Sequence, residues 1–307
     1  MEMENQMNNE KNLGILYAVI AYIMWGILPL YWKCVESVSS IEILSNRIVW
    51  AFVFTILIIA TTKQWNELKC IFKDKKQIIC ISIASILITI NWGLYIWAVN
   101  SERIVEASLG YYINPLLSVA LGVIIFKEKL KSWTILSLVI ACIGVGIKTV
   151  QYGRIPWISL MLAISFGLYG AIKKLVKTTS IVGLTLETAI ITPIAIIYII
   201  SKCINGVSAF ETENILVIFL LIGGGVVTAI PLLLFSSATK RISLSLIGFI
   251  QYISPTISLI IGIFMYHEAF TVTDMIAFCF IWGALAIYSF SQISLVRNTN
   301  EKLEKVI

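Results

Sequence analysis

Arg47 and Glu187 are the two residues whose chemistry fits their surroundings least, each lying about six residues inside a long apolar run. At a rise of about 1.5 Å per residue, that depth is roughly 8 Å along a helix. A guanidinium so placed either snorkels to the interface or points into a polar cavity, where it holds an acidic partner or an anionic group of a solute. Asn46 adjoins Arg47, and Trp50 follows three positions later on the same helical face, which favours the cavity. Glu187 faces the same choice with opposite charge. A carboxylate in apolar surroundings must be paired or protonated, so Glu187 is either a structural partner or a candidate proton-coupling group.

Other polar residues gather in the segments NWGLYIWAVN (91–100) and EASLGYYINP (106–115). Asn91, Trp92, Tyr95, Asn100, Tyr111, Tyr112 and Asn114 combine aromatic faces with hydrogen-bonding groups, the mixture a small amphipathic solute requires. Trp97 and Tyr111 also suit an interfacial aromatic belt, whereas Trp92 and Asn114 fall nearer mid-span. Gln251 and Tyr252 supply a similar pair further along the chain. Pro115 and Pro255 each remove a backbone donor and are expected to kink their helices. Glu42 and Glu106 open their spans, where the positive end of a helix favours a carboxylate.

The missing chemistry is equally informative. The single histidine, His267, precedes Glu268 and Ala269 with no second histidine four residues on, so the helical zinc-hydrolase pattern is absent. There is no phosphate-binding loop ending in Gly-Lys-Ser or Gly-Lys-Thr, and the six cysteines show no CxxC pairing. No nucleophile is organised with a base. The expectation is a non-enzymatic protein with no metal and no cofactor.

The elements that must position these residues are membrane helices. Of the 307 residues 59% are hydrophobic and only 13% charged, about half the charged fraction of a soluble domain. Apolar runs recur at 13–32, 42–61, 78–98, 104–126, 132–150, 156–172, 181–201, 215–238, 244–266 and 272–291. A hydrocarbon core of about 30 Å needs roughly 20 apolar residues per helix, because backbone groups must be satisfied within each span. The first run contains Trp25 and Pro29 and lacks a small-residue cleavage site, so it is expected to stay in the membrane rather than act as a cleaved signal. This predicts an all-α polytopic membrane protein of about ten transmembrane helices.

Lysines and arginines set the orientation. With the N-terminus inside, Lys63, Lys69, Lys73, Lys75, Lys76, Lys127, Lys129, Lys131, Lys173, Lys174, Lys177, Lys240 and Arg241 fall in inner segments, against only Lys33, Arg103, Lys148, Arg154 and Lys202 at the outer side. Both termini are therefore expected to be cytoplasmic. The net charge of +6 is dispersed over short loops, which suits anionic lipid on the inner leaflet and not a nucleic-acid groove.

The chain repeats itself. YINPLLSVALGVIIFKEKL (112–130) lies over YISPTISLIIGIFMYHEAF (252–270), with Tyr112, Pro115, Ser118, Gly122 and Glu128 matched by identical residues 140 positions later. A weaker match sets YAVIAYIMWG (17–26) over MLAISFGLYG (161–170). Each unit holds five spans, and an odd number forces the second unit to enter the membrane in the opposite orientation. The predicted organisation is a tail (1–12), two inverted five-helix repeats (13–150 and 156–291) and a second tail (292–307). Two similar halves of opposite orientation can exchange outward-open and inward-open shapes around a central site.

Several motifs resemble the EamA branch of the drug/metabolite transporter superfamily: AYIMWGILPLYWK (21–33), EILSNRIVW (42–50), NWGLYIWAVN, EASLGYYINPL (106–116), ATKRISLSLIGFIQYISPT (238–256) and FIWGALAIYSF (280–290). The resemblance runs from about Leu13 to Ser291. It implies ten helices in two inverted units, the bacterial inner membrane, and a central cavity among helices one to four and six to nine. Carried onto this chain, that cavity takes in Trp25, Arg47, Asn91, Trp92, Tyr95, Tyr112, Asn114, Glu187, Gln251 and Tyr252. The expected function is secondary transport of a small-molecule solute by alternating access. A channel-like permease and a membrane receptor or scaffold are the alternatives, and the working unit is left open between monomer and homodimer.

Overall fold

The computed structural model describes residues 2–100, 104–153, 157–265 and 271–304. Arg103, Arg154, His267 and Glu268 lie outside the described residues, as do the side chains of Asn100 and Glu106. The order is α1 (Glu2–Lys33), α2 (Ser40–Thr62), α3 (Trp65–Ile71), α4 (Lys75–Asn100), α5 (Ile104–Phe126), α6 (Ser132–Tyr152), α7 (Trp157–Leu175), α8 (Ser180–Ile204), α9 (Ala209–Thr212), α10 (Ile215–Thr239), α11 (Leu244–Gln251), α12 (Ile253–Met265) and α13 (Val272–Glu304). Among the described residues nine stretches are long and apolar enough to cross a membrane, and Val272–Tyr288 adds a shorter apolar one.

Local chemistry explains where these helices start. The side chains of Thr179, Asn214 and Ser243 accept from the backbone N–H groups of Val182, Val217 and Leu246, capping α8, α10 and α11. The ninth span is divided at Tyr252 into α11 and α12. Pro255 stands one turn beyond Gln251 and has no N–H to give that turn, which accounts for a break at this place. Helix α5 continues through Pro115. Two short helices, α3 and α9, occupy loops that the hydropathy pattern leaves blank.

Packing follows the repeat. Helix α1 packs on α10 and α12, α7 on α4 and α5, α2 on α8 and α10, α4 on α8, α5 on α11, and α6 on α13. Exchanging α1 with α7, α2 with α8, α4 with α10, α5 with α11 and α12, and α6 with α13 turns this set of contacts into itself. Such a mapping is what a pseudo-two-fold axis between two five-helix units produces, and the odd number per unit lays that axis in the membrane plane. The contacts run mainly between the halves, so neither half has a separate core.

Close approach depends on small residues. A Cβ added at Gly225 of α10 would stand 2.3 Å from the carbonyl carbon of Trp50, and one at Gly248 of α11 would stand 2.7 Å from the carbonyl oxygen of Pro115. The central core is aromatic: Trp25 lies 5.6 Å from both Phe166 and Phe235, and Tyr169 stacks on Phe235 at 6.0 Å. Around this core Ile124, Ile194, Phe219 and Phe264 are exposed, as faces in contact with lipid chains should be.

Candidate solute-binding site

Arg47 is carried by α2 into the interior, where it is only 8% exposed. Its guanidinium carbon lies 4.4 Å from the Trp32 ring centroid and 4.7 Å from that of Trp92. Nε donates to Thr228 Oγ1 at 3.1 Å. The stem passes beside Gly224, where an added Cβ would be 3.7 Å from Arg47 Cγ. Trp32 comes from α1, Trp92 from α4, and Thr228 and Gly224 from α10, so both halves build the pocket. The phenols of Tyr111 and Tyr95 stand within electrostatic reach of the guanidinium, with their rings 5.6 Å apart and edge to face. Tyr111 is 39% exposed, so accessible surface extends close to the buried cation.

No carboxylate among the described residues forms an ion pair with Arg47. Glu42, five residues earlier on α2, is the nearest in sequence, but five positions turn a helix by about 140° beyond a full circle. Its Oε1 accepts instead from Ala209 N at 2.7 Å and Ser208 Oγ at 3.2 Å, holding the start of α9. Glu42 thus fastens the loop between α8 and α10. Cation–π contacts with two indoles replace part of the lost hydration of Arg47, but they leave its terminal N–H groups free.

Glu187 lines a narrow cleft with Ile48, Ile88, Thr89, Trp92, Leu184, Thr188 and Ile191. Trp92 therefore borders both this cleft and the Arg47 pocket. The Glu187 carboxylate is nonetheless committed: Oε1 accepts from Lys173 Nζ at 2.7 Å and Oε2 from Tyr169 Oη at 3.1 Å. Both charged side chains are 1% exposed. Lys173 was assigned by hydropathy to an inner loop; it is instead a buried member of α7 and the partner of Glu187. The apolar run ends at residue 172, but the helix α7 continues to Leu175. Position 173 lies one helical turn after Tyr169, which is the signal that places both on one face.

The remaining candidates divide into separate groups. Trp92 and Tyr95 belong with Arg47. Asn91 turns the other way, its Nδ2 donating to Leu162 O and Ser165 Oγ, each at 2.9 Å, and so ties α4 to α7. Trp25 sits in the central aromatic core. Tyr112 and Tyr252 pack with Phe278, Ile281 and Ala284 near the crossing of α5 and α11. Gln251 Oε1 accepts from Ser118 Oγ at 3.4 Å, while Asn114 Oδ1 is buried without a hydrogen-bond partner. Trp32, Thr228 and Lys173 are the site residues that sequence patterning missed.

The lysine-rich end is shut by polar contacts between the halves. Glu128, just beyond α5, accepts from Leu244 N at 2.8 Å, Ser245 N at 3.0 Å and Ser245 Oγ at 2.6 Å, with Lys174 Nζ 3.5 Å away. Burial pushes the Glu128 carboxyl up, but the Ser245 hydroxyl, the two N–H groups and Lys174 outweigh it and hold it below its ordinary range. Glu67 Oε1 accepts from Thr178 Oγ1 at 2.6 Å and Thr179 N at 2.5 Å, and within the second half Lys240 donates to Thr178 O. A wide depression bordered by Gly146, Ile147, Val150, Gln151 and Thr273 lies at the α6–α13 margin, and neither Arg47 nor Glu187 borders it. Among the described residues no group of three His, Cys, Asp or Glu could hold a metal ion.

Comparison with known proteins places this architecture. Residues 12–149 match the EamA-like transporter family. The uncharacterized transporter YojE of Bacillus subtilis is 46% identical over 94% of this chain and 97% of its own. Protein RarD of Escherichia coli is 37% identical over 94% of this chain and 97% of its own. A solved crystal structure shares the fold, with a TM-score of 0.67 and 17% identity over 89% of this chain and 96% of its own. The protein is a bacterial multi-pass membrane transporter of small molecules and not an enzyme: the chain belongs to the EamA-like transporter family.

Proposed function

We propose that the protein is a secondary transporter of a small amphipathic solute that works by alternating access, in the bacterial inner membrane with both termini cytoplasmic. The observation that carries this reading is the shared construction of the Arg47 pocket. Its cation comes from α2, its indoles from α1 and α4, and its hydroxyl from α10 of the opposite half. Rocking the two units, residues 13–150 against 156–291, changes which face of the membrane the pocket meets while its ligands stay near the axis. Aromatic rings take the apolar part of the solute, and Arg47 takes its polar end.

The closed lysine-rich end supports the same cycle, because Glu128 and Glu67 join segments from different halves and must part for inward opening. Glu187 is proposed as the proton-coupling group: it borders the cleft beside Trp92, and its carboxylate is held there by Lys173 and Tyr169. The test is an untargeted comparison of metabolites in cytosol and medium with the protein switched on or off, with Arg47→Ala at matched membrane abundance as control. A reproducible solute shift that disappears in Arg47→Ala is expected. A shift that is the same in both proteins contradicts the assignment of Arg47.

A further inference from the structure

We infer that the transported solute is a monoanion that presents a carboxylate to the two terminal nitrogens of Arg47, with a flat apolar body beside Trp92. This deepens, and rests on, the transporter reading above.

A guanidinium has five N–H donors, of which the one on Nε is used by Thr228 Oγ1. The four on Nη1 and Nη2 have no hydrogen-bond partner among the described residues, although the residue as a whole is buried. These nitrogens are not among the fully enclosed polar atoms that lack a partner, so the fork borders accessible space where an acceptor can reach it. Two parallel N–H···O bonds from one guanidinium match the two oxygens of one carboxylate.

Charge accounting sets the ligand at one negative charge. Among the described residues Glu187 is paired with Lys173 and Asp274 with Lys148, while Glu42 is held by the neutral Ala209 N–H and Ser208 hydroxyl at the start of α9. Of the two buried cations among the described residues, Lys173 has its carboxylate and Arg47 has none in contact. A neutral solute would leave it so, a cation would repel it, and a dianionic phosphate ester would bring a second charge with no partner. The aromatic neighbours choose the rest of the molecule, since Trp32, Trp92, Tyr95 and Tyr111 offer ring faces and edges to an apolar body.

The experiment titrates purified full-length protein with benzoate and phenylacetate, and in parallel with the neutral isosteres benzamide and phenylacetamide. Tryptophan fluorescence and thermal stability are the readouts. A saturable response to the carboxylates, at least about tenfold tighter than to the amides, is expected from charge-assisted hydrogen bonds, and Arg47→Gln should abolish the preference. Because the isostere comparison is made on the unaltered protein, it does not depend on the variant folding. Amides that bind as well as carboxylates, or carboxylates that give no saturable response, overturn the inference. Saturable exchange of a neutral or cationic solute in proteoliposomes overturns it too while leaving the transporter reading intact.

Discussion

The hydroxyl of Tyr252 donates to the backbone carbonyl of Tyr112 at 3.4 Å, and these two tyrosines are each other's counterparts in the repeat, 140 positions apart. A residue meets its own repeat mate only near the axis that relates the halves. The crossing of α5 and α11 therefore lies on that axis, and Gly248 sits in it against the Pro115 carbonyl.

Gly248→Ala should lower the unfolding temperature, with a cost of about 1–3 kcal/mol, since the new methyl meets a backbone oxygen that cannot rotate away. Gly146→Ala is the internal control, because a Cβ there meets nothing within 4 Å. Thermal unfolding in detergent measures both. Equal effects at the two positions would show that the close crossing is not what holds the halves together.

The Lys173–Glu187 pair gives a sharper stability test. Removing one partner, as in Lys173→Met, leaves a buried charge uncompensated and should cost about 3–5 kcal/mol. Removing both, as in Lys173→Met with Glu187→Leu, should recover most of that loss, because well-packed apolar residues often replace a buried pair at no net cost. If the double variant is as unstable as the single one, the pair is not an isolated unit. Transport separates structure from coupling: Glu187→Gln with an unchanged pH dependence of flux would remove Glu187 as the proton carrier.

Glu128 predicts a pH effect with a definite sign. Its folded-state pKa is held below the unfolded value, so its contribution to stability is full at neutral pH, above the unfolded value near about 4.3. The contribution fades as pH falls through the lower, folded value. Glu128→Gln should therefore be less stable than the parent at pH 7, and the gap should close in acid below about pH 4. A gap that is constant from pH 7 to pH 3, followed by thermal unfolding, would mean that the Ser245 and Leu244 contacts do not depend on ionisation.

Hydropathy and the Tyr112/Tyr252 register made the helix count and the inverted repeat legible, because membrane spans have one dominant requirement and the duplication preserves Pro, Ser and Gly in phase. The site was only half legible. Arg47 and Trp92 stood out as polar or amphipathic groups at mid-depth, and the structure brings them together. Trp32 could not be joined to them, because it lies at a span end where aromatic residues are commonplace and its contact is made across helices. Thr228 is a small hydroxyl in a very apolar helix, with no local sign of a partner 181 positions away. Asn91 shows the reverse: its polarity suggested the cavity, yet a periodicity argument does not reveal which neighbouring helix claims an amide.

The most direct test of the account loads proteoliposomes with a bacterial metabolite extract and follows by mass spectrometry which solutes leave, with the parent protein, with Arg47→Gln and with no protein. The account predicts that a small set of monoanionic solutes leaves saturably, that the same solute outside accelerates its exit, and that Arg47→Gln at equal reconstitution reduces the flux by at least about tenfold. Efflux that rises linearly without saturation, or that is equal in Arg47→Gln and the parent, would contradict an alternating-access carrier built around Arg47.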